Sequence, residues 1–243
     1  MKNILTTILL AATLTAFGQT TFNYQNDFKT ILVRTKDTKD KLSYDKLLKK
    51  FKSNDTTMTN YEVLALLIGY TDKPDYKPYQ DLDTEREIYN LNGEKKYKEA
   101  LDKANKFLKT HPVSLKTLFE KSYVFHKLGK EDSASFYLSK GRQIIEAMRF
   151  SGDGKTKETP IFALGPADGQ DYISKNGATI GIMGSGKDSK GNFLDILEAK
   201  LDNEKTLTLY FIIQHATDKM MGGKSIEEEL KELEKKDKKK RGK

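Results

Sequence analysis

YKEALDKANKFLKTHPVSLKTLFEKSYVFHKLGKEDSASFYLSKGRQIIEAM, residues 97–148, is the most regular stretch of this chain. Tyr97, Ala100, Leu101, Ala104, Phe107 and Leu108 step by three, one, three, three and one, which lays a single apolar stripe along a helix. The stripe stops at Thr110-His111-Pro112, because proline cannot continue a helix and biases its predecessor away from helical angles. A second helix, residues 115–128, turns Leu115, Leu118, Phe119, Ser122 and Phe125 inward, and Gly129 supplies a left-handed stop. Ala134, Tyr137, Leu138, Gly141, Ile144, Ile145 and Met148 then mark a third helix with one packed face and one solvated face.

Ala100 and Ala134 lie 34 positions apart. With Pro112, Leu118, Ser122 and Phe125 at matching places, residues 84–148 resemble a tetratricopeptide repeat. The chain departs from that pattern at Thr84, where a bulky aromatic is usual. The resemblance implies paired helices presenting a surface to a protein or peptide partner.

The chain opens with Met1-Lys2-Asn3, an apolar run over residues 4–17 and small residues at Ala16 and Gly18. That pattern predicts a signal peptide over residues 1–18, cleaved after Gly18. The run is too short to span a membrane comfortably. The expected product is a secreted or periplasmic protein without stable membrane insertion. Cysteine is absent from the sequence, which excludes disulfides, thiolate metal sites and thiol catalysis.

Charge is uneven. Residues 19–150 carry a net +6, residues 151–223 a net −2 and residues 224–243 a net +3. A nucleic-acid reader would show a denser basic face interleaved with aromatics, so no nucleic-acid partner is expected. The tail pairs Ser225 with Glu228 in a capping box before a basic run, and reads as a charged, solvated segment.

Upstream of the repeat, Phe28, Ile31 and Leu32 mark one short helix, and Tyr44, Leu47, Leu48 and Phe51 another. Thr59 and Glu62 form a capping box ahead of Val63, Leu64, Leu66, Leu67 and Ile68, a helix apolar on most faces and therefore buried. Lys73-Pro74-Asp75-Tyr76-Lys77-Pro78-Tyr79 reads as an extended connector whose rings strap the helical core, with a tyrosine-lined binding strip as the competing reading.

Past Phe150 the pattern changes. Residues 161–164, 179–183, 193–201 and 207–214 read as strands, the last two as an antiparallel hairpin. The fold class is therefore α+β: a helical region over residues 19–150, a small antiparallel sheet over 151–223, and the tail over 224–243.

Gly181-Ile182-Met183-Gly184-Ser185-Gly186-Lys187-Asp188 has phosphate-loop spacing. That loop needs a Ser or Thr hydroxyl for magnesium where Asp188 stands, and a helix where Ser189-Lys190-Gly191-Asn192 continues as loop. The stretch reads instead as a glycine-rich hairpin loop with several positive φ angles. Asp153, Asp168, Asp171, Asp188 and Asn192 occupy glycine-bearing turns, without the ligand spacing of a calcium loop. Ser185, Asp188 and His215 are the catalytic watch list, with no nucleophile-elbow sequence around Ser185. No metal ligands and no cofactor are assigned.

The chain as a whole resembles an uncharacterised family of secreted bacterial proteins, a domain of unknown function. Pro74, Tyr76, Pro78 and Tyr79 carry that resemblance, with the helix over residues 97–112, Ser151-Gly152-Asp153-Gly154, residues 184–188, Gly191-Asn192-Phe193 and Tyr210-Phe211. It implies an exported α+β architecture and brings no activity with it. The expected function is a non-enzymatic module of the cell envelope that binds a protein or peptide. A hydrolase or small-ligand or metal-binding protein working from the glycine-rich loops is the alternative. Candidate ligand-binding residues are Asp168, Gly184, Lys187, Asn192, Tyr76 and Tyr79.

Overall fold

The computed structural model describes residues 22–202 and 205–222, so the expected signal peptide and charged tail lie outside the described residues. Seven helices come first: α1 (Tyr24–Lys36), α2 (Tyr44–Lys52), α3 (Asn60–Tyr70), α4 (Asp81–Gly93), α5 (Tyr97–Thr110), α6 (Leu115–Lys127) and α7 (Glu131–Ser151). Then follow β1 (Ile161–Phe162), α8 (Asp168–Lys175), β2 (Thr179–Lys187), β3 (Phe193–Lys200), β4 (Thr206–Ile212) and α9 (Gln214–Met220). The architecture is α+β, as expected.

Local chemistry sets the helix ends. Thr59 and Glu62 close a capping box at α3: the Glu62 N–H donates to Thr59 Oγ1 over 3.2 Å, and the Thr59 N–H to Glu62 Oε2 over 2.9 Å. Eight of the eleven residues of α3 are buried, so this helix is the centre of the helical layer, with α1, α2 and α7 packed on it. Ser114 caps α6 by accepting from the Thr117 N–H, and Gly129, at φ +70°, ends it. Helices α4 to α7 pack as successive neighbours.

The sheet has the order β1-β4-β3-β2. The expected β3–β4 hairpin forms, with Leu194 opposite Ile212, and β2 pairs antiparallel with β3. The wholly antiparallel sheet that was expected is in fact mixed, because β1 runs parallel to β4 with Ile161 opposite Phe211. Parallel neighbours need a long crossover, and α8, β2 and β3 provide it.

Two other expectations change. Gly181, Gly184 and Gly186 belong to the outer strand β2, and none of them has positive φ; the hairpin turn comes later, at residues 188–192, with Gly191 at φ +87°. The connector at residues 71–80 is a chain of turns, in which Tyr76 N–H donates to Lys73 O and Gln80 N–H to Lys77 O.

Helices and sheet share one apolar core, running from Ile31 on α1 to Ala216 on α9. Ser151 ties the layers: its hydroxyl donates to Met148 O over 2.6 Å and accepts the Phe162 N–H over 2.7 Å. Helix α8 lies against the sheet at Gly169, where a β-carbon would stand 2.9 Å from Leu197 and 3.0 Å from Phe211.

Candidate functional site

A cavity of about 40 Å³ opens at the seam between helices and sheet, walled by Tyr70, Tyr76, Phe107 and His111 and lined by Asp81, Glu85, Ser114 and Asp168. That volume holds an ammonium-sized group or a few waters. Each wall residue is placed by a local rule. On α4, Asp81, Glu85, Ile88 and Asn92 step by four, three and four, so two carboxyls stand on the stripe that buries Ile88 and Asn92. Asp168 starts α8 and folds back to accept the Gly165 N–H over 3.0 Å. Tyr76 is held by donating its hydroxyl to Leu164 O over 2.5 Å, and its ring meets Tyr70 edge-on at 5.7 Å.

The carboxyls have unequal partners. Asp81 lies 3.1 Å from His111 Nε2, a short but poorly aligned contact. Burial works against the His111 charge, yet Asp81 outweighs it and holds the imidazole above its usual range. Lys116 spends its ammonium on Asp171, at 2.8 Å. Among the described residues Glu85 receives only the Ser114 hydroxyl, at 2.6 Å, and Asp168 only backbone N–H groups. Among the described residues no cation ion-pairs with Glu85 or Asp168.

Burial, with the charges of Asp168 and Asp171 added, pushes Glu85 up to about 8 despite the Ser114 hydrogen bond. Burial and the Asp171 charge push Asp168 up to about 7. Near neutral pH the two therefore hold protons that exposed carboxyls would have released. The site is an aromatic-walled pocket lined by two carboxyls whose charge burial suppresses.

Of the candidates named from sequence, Asp168 and Tyr76 meet in this cavity. Tyr79 packs half-buried against the core. Gly184 lies in β2, and Lys187 Nζ sits 5.1 Å over the Phe193 ring. Asn192 borders a separate groove beside α1, bonding Asp188 Oδ2 at 2.7 Å and Gln25 Oε1 at 3.3 Å.

The watch-list triple does not converge. Ser185 is exposed on β2 opposite Asp195, and Asp188 accepts the N–H groups of Lys190 and Asn192 to close the hairpin turn. His215 is buried, stacked on Phe162 at 4.5 Å and 7° and flanked by Phe28, Tyr24 and Tyr76. Burial pushes it down to about 3, so it is a neutral core ring.

Sequence reading missed Asp81, Glu85, His111, Ser114 and Lys116 as site residues. The signal was available on α4, as two acids at helical spacing on the stripe that carries Ile88.

Fold and cavity together define an α+β protein with a half-open carboxyl pocket at its helix–sheet seam. The chain belongs to the family DUF4919, described as a domain of unknown function, whose model matches residues 29–222. No curated protein and no solved structure matches the chain.

Proposed function

We propose that this chain is an exported, non-enzymatic binding module of the cell envelope, and that its seam cavity receives a cationic side chain of a protein or peptide. One observation carries the reading: Glu85 and Asp168 face an aromatic-walled cavity with no cation of the described chain paired to either. A lysine or arginine head would meet carboxylates and ring faces together, the two groups that recognise such cations. Export rests on the signal pattern of residues 1–18. The 34-residue period supports a tetratricopeptide-like scaffold that carries the cavity on its edge.

The test is calorimetric titration of the full chain with a blocked tripeptide centred on lysine, and with its glutamine counterpart. The lysine peptide is expected to bind at about millimolar or tighter, with Glu85→Gln or Asp168→Asn weakening it roughly tenfold, or ~1.4 kcal/mol. Equal binding of both peptides, or no effect of either substitution, would remove the reading.

A second reading, proton transfer to or from a small bound ligand, is favoured by the two carboxyls titrating at about 8 and about 7 in one cavity. It predicts turnover with a pH profile set by that pair.

A further inference from the structure

Away from the seam cavity, and independent of it, two lysines are buried in the helical layer. Lys121 on α6 and Lys140 on α7 are each 6% exposed. Lysine is seldom buried without a carboxylate partner. Lys121 donates to the Tyr137 hydroxyl over 2.8 Å, with its Nζ 4.0 Å over the same ring. Lys140 is neither hydrogen-bonded nor ion-paired to any described residue; its Nζ stands 4.9 Å from the Phe51 ring centre, 5.4 Å from Phe136 and 5.8 Å from Tyr137.

The charges around it all have one sign. Lys52 at the end of α2 and Lys121 on α6 act on Lys140, and among the described residues no carboxylate offsets them. Burial first, then these two ammonium groups, push Lys140 down to about 8. A lysine in an apolar cage beside other cations is the environment that frees its lone pair for attack on a carbonyl.

We propose that Lys140 is a nucleophilic amine that forms an imine with a small, apolar aldehyde or ketone, with the Lys121 ammonium and Tyr137 hydroxyl as the proton source. The Lys140 Nζ lone pair attacks the carbonyl carbon, and the C=O π pair moves to oxygen, which takes a proton from the Lys121–Tyr137 pair. The nitrogen returns that proton, giving a neutral carbinolamine; the pair then protonates the hydroxyl as the nitrogen lone pair expels it as water, and the remaining N–H proton goes back to the pair, leaving a neutral C=N bond. Phe51, fully buried, and Phe136, half-buried, are the rings nearest the amine, so only a small carbonyl compound could enter between them.

The probe is formaldehyde with cyanoborohydride on the full chain near pH 7, with methylation at each lysine followed by peptide mass spectrometry. Lys140 is expected to react at least tenfold faster than exposed Lys157, since the neutral fraction rises tenfold per unit and burial pushes the Lys140 amine from 10.5 down to about 8. Its rate–pH profile should turn over near 8, the range set by burial with Lys121 and Lys52. Lys121→Met should raise that midpoint and slow Lys140 several-fold, whereas Lys121→Arg, which keeps the charge but cannot release a proton, should keep the midpoint near 8 and lower only the rate. If Lys121→Met fails to fold, the comparison of Lys140 with Lys157 in the unmodified chain still decides. A Lys140 rate no greater than that of Lys157 overturns the proposal. So does protection of Lys140 by inorganic phosphate with no rate excess, which would make the cluster an anion seat.

Discussion

The Tyr76 hydroxyl donates to the carbonyl of Leu164 across 2.5 Å, joining residues 88 positions apart. One partner sits in the turns after α3 and the other just after β1, so the bond closes the helical layer onto the sheet beside the cavity. Tyr76→Phe leaves that buried carbonyl unmatched. The expected loss is about 1–3 kcal/mol, read as a lower urea midpoint with an unchanged slope. An unchanged midpoint would show that the bond contributes nothing net.

The carboxyl pair makes stability depend on pH. A carboxyl whose folded value is raised binds its proton more tightly when folded, so stability falls as pH rises from the ordinary carboxylate range towards the folded value. With Asp168 at about 7 and Glu85 at about 8, the decline runs from about pH 4 to about pH 8. Glu85→Gln together with Asp168→Asn should flatten it. Urea midpoints taken across that range, parallel in the parent and the double variant, would rule the pair out as the cause.

His215 acts at the acid end with the opposite sign. Its folded value lies near 3, below the ordinary histidine range, so its contribution is complete above about pH 6.5 and is lost as pH falls from there towards 3. His215→Phe keeps an aromatic ring against Phe162 and cannot take up a proton. Acid unfolding of that variant is expected at lower pH than in the parent, followed by circular dichroism. A variant that unfolds at the parent's pH would exclude the ring as the trigger.

Gly169→Ala tests how α8 is seated. The added methyl would stand 2.9 Å from Leu197 and 3.0 Å from Phe211, both on sheet strands. Overpacking of this kind costs about 1–3 kcal/mol. Because Asp168 precedes Gly169, lysine-peptide binding should weaken as well. Loss of stability with binding unchanged would separate the seating of α8 from the cavity.

How much of this was legible in the sequence varied with the length of the pattern. The capping box and apolar run of α3 and the stripes of α5 to α7 span three or more turns, and the structure follows them closely. Helix α8 escaped notice because Asp168-Gly169-Gln170-Asp171 has turn composition, and only Tyr172 and Ile173 follow as apolar positions. Its glycine is there for close approach to the sheet, which only the tertiary structure reveals. Residues 179–183 read as a strand, and only the second half of β2 is obscured by its phosphate-loop spacing: Gly184 and Gly186 look like turn residues, yet they continue an outer strand that has a bulge between Ile180 and Met183. The pocket acids Asp81 and Glu85 belong to no motif, and charge on a helix usually means solvent, although their spacing from Ile88 points inward.

The Ser151 hydroxyl belongs at once to the last turn of α7 and to the pairing edge of β1. Residue 150 is therefore not a place where the chain can be cut into two working pieces. Expressed alone, the helical part would expose the apolar side that α7 turns to β1, and the sheet would lack the wall it folds against. Whatever exchange of parts engineering attempts, the transferable unit is the whole stretch from α1 to α9.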